Sequence, residues 1–320
     1  MTKRKAIVVT DEENFCGNIC KEENNDKFYN KEGYQYKKYG EISLLHTKTG
    51  EIENIAIDDY LCNVVSAEMP VDFNEEALKA QAIVARTYTV YKILNKKHEN
   101  ADICDDSNCC QAWISKENRL ARWDEVKRDE NWKKICNCVY STKGKIITYD
   151  KQPINAFFHS NSGGITETPV NVWGGSGYPY LQSVETSGEE NYSQYLSELE
   201  ISFDELIKKL KIKYSDIQIN TSKEDEIKIL EYTQNNRVKT IKMGNHDLSG
   251  VEVRQLLGLR STLFDVSVNN QKVKFTVHGY GHGVGMSQTG ADSMAKNGAS
   301  AEEIIKHFYN GVEVVDMNSI

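Results

Sequence analysis

Three stretches of this chain hold residues whose types and spacing suit chemistry, and the first centres on a glutamate beside a proline. In Asp58-Asp-Tyr-Leu-Cys-Asn-Val-Val-Ser-Ala-Glu68-Met-Pro70, a capping aspartate is expected to open a helix on which Leu61, Val65 and Glu68 recur at i, i+4 and i+7. That spacing places the Glu68 carboxyl on the apolar face. Pro70 disfavours helical geometry at Met69, so Glu68 falls in the last turn, near carbonyl groups that lack intrahelical partners. Burial and the negative end of a helix dipole both disfavour the charged form, so Glu68 should keep its proton to higher pH than a surface glutamate. A solvated glutamate at a helix end is the plainer alternative.

The second stretch, Tyr280-Gly-His-Gly-Val-Gly-Met-Ser-Gln288, sets three glycines around His282 just before a helix start. Glycines let backbone approach a ligand closely, and a helix N-terminus favours anionic or hydroxyl-rich groups. The Lys-Ser/Thr ending of a phosphate loop is absent, and the glycine spacing misses the dinucleotide pattern. A tight turn with a structurally bonded histidine is the competing reading. His159-Ser160-Asn161-Ser162-Gly163-Gly164 is a related polar segment after a strand; it lacks the Gly-x-Ser-x-Gly elbow of serine hydrolases and reads as the wall of a polar pocket.

The third stretch offers His98, Cys104, Cys109 and Cys110, enough ligands for a closed tetrahedral zinc site. A disulfide from Cys104 to either neighbour, or buried thiols, are the alternatives. Cys136 and Cys138 read as core packing, and Cys16 and Cys20 have no assignable role.

These residues need elements to hold them. A second helix is expected after Asn74, a plausible cap, with Glu75 and Glu76 in its first turn and an Ala-rich body to Tyr88. On it Lys79, Ala82 and Arg86 fall roughly on one side, so two cations are expected to face the cleft below Glu68. Residues 41–46 and 52–57 read as a hairpin feeding the first helix, and Trp123 to Cys138 as a helix through Val126, Trp132 and Ile135. Strands at 145–149 and 153–158 lead to the His159 segment. The hairpin 265–269 and 272–278 delivers the glycine loop, after which Ser287 caps a helix stopped by Gly298. The fold class expected is α+β, a mixed core domain with helices packed on β-sheet plus a smaller inserted accessory lobe at about 183–262, where composition shifts to Glu, Lys and Ser. Residues 1–39 read as a loosely structured N-terminal extension and 40–320 as the main domain.

Composition excludes several classes. The 320 residues carry a net charge of −8 with basic residues scattered, which argues against a nucleic-acid partner. Near the N-terminus the longest apolar run, Ala6 to Val9, is far too short for a membrane span or signal peptide. Eight cysteines in a chain this long solve no small-core problem as disulfides, and their close pairs suit metal or redox chemistry better.

Taken together, Val64-Val-Ser-Ala-Glu-Met-Pro70, Ala77-Leu-Lys-Ala-Gln-Ala-x-x-Ala-Arg-Thr-Tyr88, Phe158-His-Ser-x-Ser-Gly-Gly164, Val172-Trp-Gly-Gly175, Arg260-Ser-Thr262 and Gly279-Tyr-Gly-His-Gly-Val-Gly-Met-Ser-Gln288 resemble the stage II sporulation protein D (SpoIID) family over roughly residues 41–315. The resemblance implies a peptidoglycan lytic transglycosylase that cuts the β-1,4 bond between N-acetylmuramic acid and N-acetylglucosamine in peptide-stripped glycan strands during engulfment, leaving 1,6-anhydro ends. It carries the catalytic role to Glu68, the residue the helix argument chose. Lys79, Arg86, His159, Ser160, Ser162, Tyr280, His282, Ser287 and Gln288 are expected to bind the glycan. It also implies a structural zinc ion on His98, Cys104 and Cys110, with Cys109 standing where relatives have a histidine. Implied partners are glycan strands, a cell-wall amidase and other engulfment proteins. The implied location is the cell-wall side of a membrane, although the anchor usual in the family is not visible, as in a trimmed or atypical member. A non-catalytic, glycan-binding activator of an amidase is the competing expectation.

Overall fold

The computed structural model describes residues 34–220, 223–269 and 272–320. The expected loose extension therefore lies outside the described residues for positions 1–33, as do Cys16 and Cys20. Tyr34 and Tyr36 are docked, donating from their hydroxyls to Asp316 and Asp58 at 2.8 Å each.

The fold is α+β. β1 (Glu41–Leu45) and β2 (Ile52–Ala56) form the expected antiparallel hairpin and run straight into α1 (Ile57–Glu68). Asp58 sits inside α1 rather than capping it, because its carboxylate is taken by Arg86. Pro70 ends the helix as expected, leaving Met69 extended at φ −118°. α2 (Glu75–Leu94) opens on Asn74, whose side chain accepts from the Glu76 N–H. Alanines at 77, 80, 82 and 85, all wholly buried, let neighbours approach this helix from several sides, which makes α2 the axle of the main core.

β3 (Ile103–Cys104) joins β1 in parallel; α3 (Lys116–Leu120) and α4 (Arg128–Tyr140) follow. α4 starts later than its sequence pattern implied and leaves Val126 90 % exposed, because the Asp124 carboxylate bonds the Val126 N–H in a turn. β4 (Lys145–Tyr149) pairs with β5 (Gln152–Pro153), and β6 (Phe158–His159) leads to α5 (Pro169–Trp173).

A second hydrophobic core, running from Ile201 to Val277, stands apart from the first. It is built from β7 (Leu196–Ser202), α6 (Phe203–Leu210), β8 (Ile227–Tyr232), β9 (Val238–Met243), β10 (His246–Ser249), α7 (Gly250–Leu257), β11 (Leu263–Asn269) and β12 (Lys272–His278). Two antiparallel sheets, ordered β10-β9-β8 and β11-β12-β7, face this core, so the 263–278 hairpin packs with it. The chain then returns to the main core through β13 (Met286–Ser287), α8 (Gln288–Lys296), α9 (Ala301–Phe308) and β14 (Glu313–Asp316). α8 is capped by Ser287, as its sequence predicted.

Candidate functional site

Glu68 stands at the C-terminal end of α1 in the wall of a cavity of about 540 Å³. Its carboxyl accepts the Ala112 N–H at 2.6 Å and a hydrogen bond from the Gln288 side chain. Burial pushes its pKa up to about 7, and it does so against those two bonds, which favour the charged form. The group can therefore give up or take a proton near neutrality, as general acid–base work requires.

Two loops zipped together bring the remaining polar groups to Glu68. β6 and β13 pair in parallel, Phe158 with Met286 and His159 with Ser287, and the backbones of Asn161 and Tyr280 exchange hydrogen bonds of 3.0 and 2.8 Å. The approach is so close that a Cβ on Gly285, which sits at φ +73°, would lie 2.0 Å from the Phe157 carbonyl oxygen. Zipping carries Ser160, Tyr280 and Gln288 into the cavity beside Glu68.

The other residues expected to bind glycan sit elsewhere. His159 donates from Nδ1 to the Val284 carbonyl (3.1 Å), while His282 accepts the Val284 N–H on its own Nδ1 (3.0 Å). Burial drives the His159 pKa down to about 4 and that of His282 well below the usual histidine value, so both rings are neutral and stitch the two loops together. The competing reading of His282, a histidine held by its turn, describes the geometry. Ser162 and Ser287 are buried and donate to Glu189.

The two cations of α2 do not face the cleft. Lys79 pairs with Glu76 at 2.7 Å, and neither it nor Arg86 lines the cavity. Arg86 is wholly buried, paired with Asp58 at 2.9 Å and donating to the Thr142, Lys145 and Val139 carbonyls. The helical spacing was read correctly, but an Ala-rich helix buried on several sides has no single cleft face. The cations that do line the cavity are Arg119 and Lys127, with Trp123 between them in sequence.

Sequence reasoning also missed Glu189. Its buried carboxylate accepts from the Ser162 N–H (3.0 Å), the Gly164 N–H (2.9 Å) and the hydroxyls of Ser162, Thr186, Ser287 and Thr289. Burial alone would raise its pKa, but these donors outweigh it and hold the group below the usual range, hence ionised. Nothing in Gly-Glu-Glu-Asn separates Glu189 from the exposed Glu190 beside it; only the tertiary fold does.

On the other side of Glu68, His98, Cys104, Cys109 and Cys110 converge, their ligand atoms all within 4.8 Å of one another. The set could hold a metal ion, and it lies just before Ala112, the residue whose amide binds Glu68. Gln111 anchors the intervening backbone by donating to the Tyr60 and Thr89 hydroxyls at 2.9 and 3.0 Å.

The fold and this site define an α+β protein that presents one acid, poised near neutral pH, in a polar groove. A family model described as SpoIID, stage II sporulation protein, matches residues 45–149. The chain is 36 % identical over 282 residues to stage II sporulation protein D of Bacillus amyloliquefaciens, covering 87 % of this chain and 79 % of that protein. It is 34 % identical over 281 residues to the protein of the same name from Bacillus subtilis (strain 168), covering 87 % and 80 %. An amidase enhancer of Bacillus subtilis (strain 168) is 28 % identical over 300 residues, spanning 78 % of this chain and 39 % of that protein. The chain belongs to the SpoIID family of sporulation proteins.

Proposed function

We propose that this chain is a lytic transglycosylase acting on peptide-stripped peptidoglycan glycan strands in sporulation, with Glu68 as its only acid and base. Protonated Glu68 donates to the oxygen of the β-1,4 bond between muramic acid and glucosamine. The resulting carboxylate takes the proton of the muramic C6 hydroxyl, whose oxygen attacks C1 and closes a 1,6-anhydro ring. One proton leaves Glu68 and one returns, so the cycle consumes no water.

The observation that carries this reading is the placement of Glu68 in the cavity wall, where burial raises its pKa to about 7 against the hydrogen bonds from Ala112 and Gln288. A hydrolase would pair Glu68 with a second carboxyl, about 5 Å away if retaining and about 6.5–9.5 Å away if inverting, and would leave reducing ends in place of 1,6-anhydro ends, so the products separate the two chemistries. Ser160, Tyr280 and Gln288 supply hydroxyl and amide groups suited to sugar hydroxyls.

The His98, Cys104, Cys109 and Cys110 cluster fits zinc. Zn–S bonds of about 2.3 Å and a Zn–N bond of about 2.05 Å at tetrahedral angles require S–S edges of about 3.8 Å and S–N edges of about 3.5–3.6 Å. Cys109 and Cys110 sulfurs are 3.8 Å apart and lie 3.5 and 3.6 Å from His98 Nε2. The Cys104 N–H points at the Cys110 sulfur, a donor of the kind that steadies a thiolate. Four protein ligands make the ion's role structural: it would hold the loop that presents the Ala112 amide. Chelation is expected to lower the Tm, with zinc restoring it; activity lost on chelation at unchanged Tm would refute the structural role.

The decisive experiment is mass spectrometry of denuded glycan strands after incubation. The wild-type protein should release 1,6-anhydro ends and Glu68→Gln should not, while keeping its fold. General acid–base assistance of this kind is worth roughly 10²- to 10⁴-fold. The relationship to an amidase enhancer favours a second reading, a glycan-binding activator of an amidase. Intact strands that bind but acquire no new ends would support that reading instead.

A further inference from the structure

The mechanism accounts for Glu68 and the groups beside it, but not for the cation across the cavity. Arg119 lines the same space, its guanidinium stacked on the Trp123 ring with Cζ 4.6 Å from the ring centroid. Nε of Arg119 is buried without an acceptor. Among the described residues no carboxylate lies within ion-pair distance of it, although Asp72 and Asp124 line the same cavity. Burial, with Arg122 nearby, lowers its pKa, yet an arginine remains charged throughout the physiological range.

Lys127, the other cation of the cavity, is an exposed lysine that water solvates, and three further cations near the site already have partners. Arg86 has Asp58, Arg237 donates to Ser162 and Ser261, and Lys134 caps the Val71 and Phe73 carbonyls. Glu68 is not the missing partner: its carboxyl accepts from the Ala112 N–H and the Gln288 side chain. A half-buried guanidinium over an indole, with its Nε–H lacking an acceptor and no counter-charge beside it, is arranged for an anion that arrives with the ligand. The indole contact holds the guanidinium in place, and a planar fork matches a carboxylate through two parallel hydrogen bonds.

We infer that Arg119, stacked on Trp123, is a specificity-determining residue that binds the free lactyl carboxylate on C3 of muramic acid. This rests on the glycan reading above. A lactyl group still joined to a stem peptide is a neutral amide and offers no second oxygen anion to the fork. Discrimination therefore resides in this contact, remote from the proton transfer at Glu68.

Binding is measured with the Glu68→Gln protein, which should hold substrate without turning it over. The probes are muramic acid–glucosamine oligomers with free lactyl acids, the same oligomers methyl-esterified, and chitin oligomers, which lack the lactyl group. The free acid should bind about 10- to 100-fold more tightly than the ester, the range expected for hydrogen bonds to a charged group. Adding Arg119→Met should abolish this preference while leaving ester and chitin affinities unchanged, and Arg119→Lys should keep part of it. A preference that survives Arg119→Met overturns the inference, as does an equal loss for all three probes. If the Glu68→Gln protein binds no oligomer at all, the glycan reading falls and takes this inference with it.

Discussion

Replacing Glu68 with glutamine should make the protein more stable, and the gain should depend on pH in a way that only a buried acid produces. Folding raises the Glu68 pKa from 4.5 to about 7. Between those values the native state binds a proton that the unfolded chain has released, so native stability falls as pH rises. The contribution of this group is fully present below pH 4.5 and lost once pH has passed about 7. At about 1.4 kcal/mol per pH unit, that rise in pKa makes the ionised site cost about 3 kcal/mol above neutrality. Glutamine is nearly isosteric, keeps an oxygen for the Ala112 N–H and never ionises. Glu68→Gln should therefore exceed the wild type by up to about 3 kcal/mol at pH 8.5, with the difference shrinking toward zero near pH 4.5. In melting temperature that is roughly 4–5 °C for a chain of 320 residues. The assay is thermal or denaturant unfolding of both proteins across a pH series at constant ionic strength; every other titrating group is common to both and cancels. A difference that stays flat with pH, or grows toward acid, would refute the placement of this carboxyl out of water. Activity should be lost at every pH where stability is gained, because the ionisation that costs stability is the one the proposed proton transfer uses.

Three further outcomes follow from other parts of the site. Arg86→Met leaves the Asp58 carboxylate buried without its partner and should cost about 3–5 kcal/mol in denaturant unfolding, with specific activity of the folded fraction unchanged because Arg86 does not line the cavity. Gly285→Ala forces a Cβ to within 2.0 Å of the Phe157 carbonyl at φ +73°, so it should lower the Tm and also reduce activity of whatever folds, since the strand pairing that delivers Gln288 must open. Glu189→Gln puts an amide N–H₂ where hydroxyl and amide donors now converge; a loss of about 1–3 kcal/mol is expected on unfolding, and unchanged stability would show that these donors re-pair elsewhere.

What the sequence made legible divides along a physical line. Features set by neighbours in the chain were readable: the end of α1 at Pro70, the Asn74 cap, the Ser287 cap, and the cluster of His98, Cys104, Cys109 and Cys110, all carried on one short stretch. Glu68 was readable for the same reason, because periodicity and a proline are local signals. Ser160, Tyr280 and Gln288 line the cavity beside Glu68 and come from two motifs that were each recognisable, though nothing local shows that the motifs pair with one another. The misassigned side chains all required knowing what lies across the fold. Arg86 and Lys79 share a helix side, but a helix buried on several sides offers no privileged cleft. His159 and His282 look like ligand-binding residues and are in fact bound to the backbone of Val284.

The same division explains why Arg119 and Glu189 were invisible. Each is an ordinary charged residue in a polar stretch, distinguished only by what the tertiary structure gives or withholds. Glu189 receives donors from both loops and so must stay charged and bonded, a fastener rather than a reagent. Arg119 finds no acceptor for its buried Nε–H among the described residues and stays charged beside a cavity. A buried charge that is fully satisfied has no bonding capacity left for a ligand, while one without a counter-charge keeps all of it. By that test Glu68 falls between the two. Two donors hold its carboxylate without overcoming burial, which leaves the proton free to move near pH 7.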